Sequence, residues 1–256
     1  MTSLYPALRN YQFNQGANWS PLMLSGLVLW LDSNLGITTD TTAGTTTVAT
    51  WANQAPTTGS GYDAAQATKA NQPLYVAGVL NGFPGVQFDG SNDTLGLSGA
   101  GLGIAQNIAG LTVATVVKNP AATVVGNKTI WAASINSSAG VRVLGGFRNS
   151  NQYRFGARAP LDGSTFVEIG SNNGTITNAA SQVSIYVNNF TTNVAAIYHN
   201  GTAVNVGTAI GAATGSLPNT ASQQVTIGGL PGSQFIDCTI MSIIACQSVL
   251  LILVLW

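Results

Sequence analysis

Charged side chains are scarce in this sequence. Asp, Glu, Lys and Arg make up only 6% of the 256 residues, whereas an ordinary soluble domain contains roughly 25%. The 8 Lys and Arg residues balance 8 Asp and Glu residues and are spread along the chain. Because a phosphate backbone is bound by clustered cations, we expect no nucleic-acid partner. Hydrophobic residues make up 45% of the chain, which is enough apolar surface for a folded core.

The side chains that most catalytic mechanisms use are almost absent. Glycoside hydrolysis requires two carboxyl groups roughly 5 to 9 Å apart, and Glu168 is the one Glu in the chain. His199 is the one His, and no Gly-x-Ser-x-Gly nucleophile elbow accompanies it. We therefore predict no catalytic residues, no bound cofactor and no enzymatic activity. We expect His199 to be an exposed residue beside a hairpin turn.

Cysteine is also scarce, with Cys238 and Cys246 as the two examples. If one strand carries both, a rise of about 3.3 Å per residue places them roughly 26 Å apart, which excludes a disulfide between them. We predict that both are small buried side chains, the usual environment of free Cys.

Neither a signal peptide nor a membrane span is evident. Residues Met1–Asn10 lack the apolar stretch that follows the basic residues of a secretory signal. The 18 residues Thr239–Trp256 include 14 apolar ones, but as a helix they would reach only roughly 27 Å. Gln247 and Ser248 would lie in the middle of that helix, and no basic residue follows Arg158 to anchor it. We expect no membrane partner.

Most apolar segments are short, rich in β-branched and aromatic residues, and bounded by Gly, Asn, Pro or Ser. This pattern is typical of antiparallel strands, and no segment carries a sustained 3.6-residue apolar period. The one helical candidate is Leu102–Ile108, and Thr38–Thr47 and Gly170–Ala180 are predicted polar loops. Asp89-Gly90 and Asn200-Gly201 favour the turns of β-hairpins. The predicted strands are Leu27–Asp32, Thr46–Trp51, Gly85–Phe88, Leu111–Val117, Thr129–Ile135, Val141–Phe147, Gln152–Arg158, Thr165–Ile169, Gln182–Val187, Val194–His199, Gln224–Ile227 and Thr239–Ala245.

About a dozen strands with almost no helix predict an all-β protein, either a sandwich or a barrel. Residues 21–250 are expected to form a single domain. Residues 1–20 have scattered aromatics without strand alternation and are predicted to be an arm that leads into this domain. Residues 251–256 are an apolar tail, which we expect to be buried on its own sandwich or against a neighbouring subunit. The predicted assembly contacts are Tyr5, Tyr11, Phe13, Trp19 and Trp256.

A series of short motifs follows one order along residues 21 to 250. In this order they resemble the laminin-G-like jelly roll of the concanavalin A-like lectin and glucanase superfamily. The resemblance implies an antiparallel jelly-roll sandwich in which Thr239–Ala245 is a central strand. The motifs are Leu29-Trp30-Leu31-Asp32, Trp51-Ala52-Asn53-Gln54, Asp63-Ala64-Ala65-Gln66-Ala67-Thr68, Asn71-Gln72-Pro73-Leu74-Tyr75, Leu80-Asn81-Gly82-Phe83-Pro84, Phe88-Asp89-Gly90-Ser91-Asn92-Asp93, Ile197-Tyr198-His199-Asn200-Gly201 and Val225-Thr226-Ile227-Gly228-Gly229.

The arm and the Asp63–Thr68 stretch are similar to those of domains in bacteriophage virion proteins. This similarity implies a non-enzymatic virion structural protein on the particle surface, as a capsid decoration or a tail or fibre component. Its expected partners are other virion proteins and further copies of itself, in a homo-oligomer or array. The alternative is a glycan-binding, lectin-like adhesion module with a host-surface glycan as partner. A polysaccharide hydrolase is a third hypothesis, but the Glu-x-Asp-x-x-Glu strand of the superfamily's glucanases is absent.

Two candidate sites remain. Asp89 and Asp93 place carboxylates close together in sequence, where they either hold Ca²⁺ or only shape a turn, and we favour the turn. A second candidate is a ligand or partner face formed by Arg142, Arg154 and Arg158, together with Tyr153 and Trp131 as a sugar-stacking platform. Such a face would bind an acidic glycan or carboxylates of a partner. The alternative, which we favour, is a solvated outer face whose arginine stems cover apolar surface.

Overall fold

Antiparallel strand pairing organises this chain. The computed structural model describes residues 20–56, 60–120, 122–134, 140–158, 166–172, 175–192, 194–208 and 221–249. Helical structure among these residues is limited to four short 3-10 helices, at Pro21–Met23, Ser60–Tyr62, Lys69–Asn71 and Gly99–Gly103. The strands are β1 (Leu27–Asp32), β2 (Ile37–Thr42), β3 (Thr45–Trp51), β4 (Ala64–Ala65), β5 (Leu74–Leu80), β6 (Phe83–Asp89), β7 (Leu95–Leu97), β8 (Gly110–Lys118), β9 (Lys128–Ser134), β10 (Val141–Arg148), β11 (Gln152–Arg158), β12 (Phe166–Gly170), β13 (Ser181–Asn189), β14 (Val194–His199), β15 (Thr202–Thr208), β16 (Gln224–Ile227) and β17 (Asp237–Cys246).

The strands form two facing layers that β3 connects. One layer runs in the order β15-β14-β13-β8-β17-β6-β5, with β1 beside β6 on the same edge of β17. The other runs β4-β7-β16-β9-β10-β11-β12, and β3 pairs with both β5 and β4. The ends approach each other, because Asn205 Nδ2 of β15 donates a hydrogen bond to the carbonyl of Gly170 in β12. The predicted all-β antiparallel sandwich is therefore confirmed.

β17 is a central strand of the first layer, as predicted. β8 pairs with one edge of β17, and β1 and β6 pair with the other. Ile240 and Ile243 belong to the core between the layers, whereas Met241 and Ile244 belong to two separate apolar clusters. Apolar side chains on both faces are normal for a strand that is covered on both sides.

Aromatic side chains fill the space between the layers. The Phe155 ring of β11 lies 6.2 Å from Trp131 in β9 and 5.6 Å from Tyr186 in β13, measured between centroids. Cys238 and Cys246 are free and buried, as predicted. An apolar cavity of about 20 Å³ beside Trp131 holds nothing larger than a water molecule. A ligand larger than water therefore does not fit this cavity.

The sequence motifs of the N-terminal half hold loops and strands together. Asn53 Oδ1 accepts hydrogen bonds from the backbone N–H of Trp30 at 2.8 Å and of Ala55 at 3.1 Å. Asn53 Nδ2 donates to the Val28 carbonyl at 3.2 Å, and Asp63 Oδ1 accepts the Asn53 N–H at 2.8 Å. These side chains satisfy backbone groups that no strand pairs with. Asn53 therefore links β1 to the segment that follows β3.

The prediction of a polar loop over Thr38–Thr47 is wrong. β2 and β3 form a hairpin that turns at Ala43 and Gly44, with φ of 50° and 81°. Nearly all of β2 is exposed, so Thr stands on both faces of the strand and the sequence shows no polar-apolar alternation. The predicted helix over Leu102–Ile108 is also wrong, since only its first two residues lie in the 3-10 helix Gly99–Gly103.

The two turn dipeptides differ in outcome. Asn200 and Gly201, with φ of 46° and 82°, connect β14 to β15, so this hairpin is confirmed. Asp89-Gly90 does not form a hairpin, because β6 pairs with β5 and β17 whereas β7 pairs with β4 and β16. The chain crosses there from one layer to the other.

The two terminal segments lie outside the described residues. The division into an arm, one domain and a tail therefore stays a prediction. No described helix is long and apolar enough to cross a membrane. The predicted assembly contacts that fall in these segments are Tyr5, Tyr11, Phe13, Trp19 and Trp256.

Candidate functional site

The outer face of β10, β11 and β12 carries a cluster of charged side chains. Strand alternation decides which residues of β11 reach this face. Every second residue points into the core between the layers, so the residues between them point outward. The inward residues are Tyr153, Phe155 and Ala157, and the outward ones are Arg154, Gly156 and Arg158.

Cross-strand pairing brings further groups to the same face. Arg158 lies opposite Phe166, and Gly156 lies opposite Glu168. Arg148, at the end of β10, is oriented toward Gln152, because its Nε donates to Gln152 Oε1 at 2.6 Å. We call this set the arginine face and define it as Arg148, Arg154, Arg158, Phe166 and Glu168.

Glu168 is held between two arginines. Its Oε1 lies 3.1 Å from Arg148 Nη1, and its Oε2 lies 3.0 Å from Arg154 Nε. Arg154 is 2% exposed, and its Nη1 also donates to Gln234 Oε1 at 3.1 Å. Burial lowers the pKa of Arg154, and the Glu168 carboxylate opposes this shift. Both carboxylate oxygens therefore compensate guanidinium charge.

Two glycines let long side chains lie flat on this sheet. A Cβ at Gly156 would stand 2.3 Å from Cζ of Phe166, so the ring lies directly on the Gly156 backbone. A Cβ at Gly170 would stand 2.6 Å from Nη2 of Arg148, so that guanidinium lies on Gly170. Arg148 and Phe166 consequently extend along the sheet surface.

The arginine face carries more positive than negative charge. Three arginines face one glutamate, and the Arg148 side chain is 35% exposed. The Arg158 guanidinium carbon lies 5.9 Å from the centroid of the Phe166 ring, and its Nε donates to the Val141 carbonyl at 2.5 Å. The same face therefore offers guanidinium groups that can bind an anion and an aromatic ring that can pack against an apolar surface.

The predicted solvated arginine face is wrong for two of its three members. Arg142 is fully buried, and its Nη1 donates to Ser222 Oγ at 3.1 Å. Pairing between β10 and β9 shifts register between Val141 and Val143, so Arg142 lies at an irregularity and alternation does not assign its direction. Arg154 is buried beneath Glu168 and Gln234. Of the predicted three, only Arg158 is partly exposed.

The predicted stacking platform of Trp131 and Tyr153 is also wrong, because both rings belong to the core. Trp131 packs against Phe155 and Tyr186 and is 7% exposed. Tyr153 is fully buried, with its ring centroid 5.2 Å from that of His199 and its hydroxyl donating to Gln182. His199 is half-buried, so the prediction that it is exposed is wrong as well. Neither predicted ring presents a face to solvent.

Three members of the arginine face were not among the predicted site residues. Arg148 was visible as one of four arginines within seventeen residues. Phe166 and Glu168 gave no signal, since only the pairing of β11 with β12 places them beside the arginines.

Asp89 and Asp93 form a local turn network. Asp89 Oδ1 accepts from the N–H of Ser91 at 2.8 Å and of Asn92 at 3.2 Å, while Asp93 Oδ2 accepts the Asp89 N–H at 3.0 Å. Burial, with a smaller contribution from the Asp89 charge, raises the pKa of Asp93 to about 6. No group of three or more metal-binding side chains occurs in the part of the chain that the structure describes. These hydrogen bonds support the turn interpretation.

No family model and no curated protein matches this sequence. Its fold is similar to that of Trypanosoma rangeli sialidase in complex with the inhibitor DANA, with a TM-score of 0.53 and 16% identity over 92% of this chain. It is also similar to the binding domain of botulinum neurotoxin DC in complex with rat synaptotagmin II, with a TM-score of 0.55 and 12% identity over 88% of this chain. The chain spans 32% of the sialidase chain and 49% of the toxin chain. These similarities show an all-β sandwich fold, consistent with the concanavalin-like jelly roll expected from the motifs.

Proposed function

We propose that this chain is a non-enzymatic carbohydrate-binding module. The observation that carries the proposal is the arginine face. There the Phe166 ring lies flat on the sheet beside three arginines, whose positive charge is only partly balanced by Glu168. An apolar ring and directional hydrogen-bond donors are what a sugar with one apolar and several polar edges requires. A structural neighbour, the T. rangeli sialidase, is described in complex with 2,3-difluorosialic acid, which supports a carbohydrate ligand.

The contacts of Glu168 and Asp93 support a role without hydrolysis. Both oxygens of Glu168 are engaged by Arg148 and Arg154, so this carboxylate is held by internal ion pairs rather than presented to a glycosidic oxygen. Asp93 has the raised pKa that a general acid needs, but its oxygen accepts a backbone N–H and its neighbour Asp89 caps the same turn. Incubation with β-glucans and sialosides, followed by a reducing-sugar assay, tests this point. Release of sugar that disappears in Glu168→Gln or Asp93→Asn would contradict the proposal.

Carbohydrate binding itself is tested on a glycan array with the full chain. We expect a restricted set of glycans to bind, with affinities that fall when the array is repeated with Phe166→Ala. Lys69→Gln is the matched control, because it changes an exposed side chain of a different segment, Lys69–Asn71. Absence of binding to every glycan would contradict the module function.

We also propose that the module is displayed on a bacteriophage particle, as the similarity of its motifs implies. The support for this placement is the motif resemblance, and in the structure two of these motifs contact each other, because Asp63 Oδ1 accepts the Asn53 N–H. Mass spectrometry of purified particles tests this placement. Detection at a copy number in keeping with capsid or tail symmetry supports it, and absence from purified particles contradicts it.

A further inference from the structure

Resting on the proposed carbohydrate-binding function, we infer that the ligand is an acidic glycan whose carboxylate is bound by Arg148 while the Phe166 ring stacks on a sugar. The site is the arginine face, and Glu168 is an internal carboxylate that occupies one part of the same cationic cluster. This assignment replaces the buried Arg142, Trp131 and Tyr153 with side chains that reach solvent.

Arg148 has donors that its internal contacts do not use. Its Nε donates to Gln152 Oε1 at 2.6 Å, and its Nη1 donates to Glu168 Oε1 at 3.1 Å. A guanidinium carries five N–H donors in a planar fork, so these contacts use two of them. The side chain is 35% exposed. Arg148 therefore binds a second carboxylate without first breaking its ion pair.

Glu168 shows which anion this cluster accepts. Its carboxylate bridges Arg148 and Arg154, with N–O distances of 3.1 and 3.0 Å. After this pairing the face still has a net positive charge from Arg148, Arg154 and Arg158. Planar carboxylates match the guanidinium fork, and their hydrogen bonds are stronger than those between neutral groups. A carboxylated sugar offers the same group at the solvent side of Arg148.

Phe166 supplies the apolar part of the site. Its ring lies over Gly156, with the Arg158 guanidinium 5.9 Å from its centroid. Gly156 faces Glu168, which is two residues from Gly170, and the Arg148 guanidinium lies over Gly170. Gly156 and Gly170 are thus one strand apart across the sheet and two residues apart along it, which separates them by about 8 Å. The Phe166 ring and the Arg148 guanidinium are therefore close enough to contact neighbouring parts of one oligosaccharide.

The test uses the full chain and five immobilised probes: sialyllactose, tri-galacturonate, the methyl ester of each as its uncharged counterpart, and lactose as a neutral reference. We expect at least one acid to bind and its methyl ester to bind at least tenfold more weakly. Arg148→Gln should weaken binding of that acid at least tenfold. Arg148→Lys keeps the charge but lacks the planar guanidinium, so its affinity should lie between those of the original chain and of Arg148→Gln. Phe166→Ala should weaken both acid and ester.

Lys69→Gln is the charge-matched control and should leave affinity within twofold of the original chain. Circular dichroism and thermal melting identify variants that do not fold, and Arg148→Lys keeps the test decisive if Arg148→Gln is one of them. Equal binding of acid and ester, or equal effects of Lys69→Gln and Arg148→Gln, overturns the inference. Binding of lactose or of neutral array glycans alone leaves the carbohydrate-binding function standing and overturns only the acidic site. Binding of no glycan overturns both.

Discussion

Asn200 determines which nitrogen of His199 carries the proton. Asn200 Oδ1 accepts the backbone N–H of Val183 at 3.0 Å, which orients the side-chain NH₂ toward His199 Nε2, also at 3.0 Å. An NH₂ group only donates, so Nε2 must accept and the neutral ring carries its proton on Nδ1. Protonation of Nε2 would place two donors against each other. Burial, which lowers the pKa of His199, favours the same neutral form.

We predict that His199 makes the fold less stable in mild acid. Since its pKa in the folded protein is lowered from 6.5, the unfolded chain binds the proton first as the pH falls. The contribution of neutral His199 to the free energy of unfolding is complete above about pH 6.5. It decreases as the pH falls from 6.5 through the lower pKa that His199 has in the folded protein. Urea unfolding at pH 7.5 and pH 5 measures it, and His199→Gln should reduce the loss. An identical loss in both proteins contradicts the assignment.

Asp93 should act in the opposite direction. Its pKa is raised from 3.8 to about 6, so the folded chain binds this proton before the unfolded chain does. The contribution of protonated Asp93 to the free energy of unfolding is therefore fully present below about pH 3.8 and is lost as the pH rises through about 6. Asp93→Asn should therefore gain stability relative to the original chain at pH 7.5 and lose that advantage at pH 4. The His199 measurement is best made in this background, where the opposing titration is removed.

Gly156→Ala should displace the Phe166 ring. The added Cβ would meet the ring at 2.3 Å, and the half-buried ring can move outward. We expect a loss of about 1 kcal/mol in the free energy of unfolding, together with weaker binding of the acidic probe. Gly96→Ala is the control, because its Cβ would have no neighbour closer than 3.9 Å. Similar losses of stability and binding for the two variants would show that the ring does not lie on Gly156.

Asn53→Ala should destabilise the domain by about 2 kcal/mol, since two partly buried N–H groups, those of Trp30 and Ala55, lose their acceptor. Denaturant unfolding measures the change. Asn92→Ala is the matched control: Asn92 is exposed and donates to Ala70 and Asn71, so water replaces it at a cost of about 0.5 kcal/mol. Equal losses in the free energy of unfolding for the two variants would contradict the structural role that we assign to Asn53.

Metal removal should leave the melting temperature unchanged. The oxygens of Asp89 and Asp93 already accept backbone N–H groups of their own loop. A bound ion would stabilise the folded state in proportion to its excess over the dissociation constant. Melting in EDTA and in excess Ca²⁺ measures this. A decrease of several degrees in EDTA that Ca²⁺ reverses and Asp93→Ala abolishes would establish a site.

Local alternation was sufficient to predict many strands. The bounds of Leu27–Asp32, Gln152–Arg158 and Val194–His199 match the structure residue for residue. Gln152–Arg158 alternates between polar and apolar residues, whereas Leu27–Leu31 and Val194–Tyr198 are continuous apolar runs. The same pattern does not reveal β2, because nearly all of its residues are exposed and polar. It also does not reveal Thr202–Thr208, although the Asn200-Gly201 turn that precedes this strand is a recognisable hairpin signal.

Composition and local pattern alone predict the fold class and the scarcity of catalytic groups, because strand alternation, turn residues and composition are properties of neighbouring residues. Alternation likewise places Arg154 and Arg158 on one face of a strand, opposite Tyr153. Which of these two arginines reaches solvent depends on residues that are distant in sequence. Arg154 is buried by Glu168 and by Gln234, which is 80 residues away. Partners from distant strands are set by register and layer packing, which local sequence does not encode.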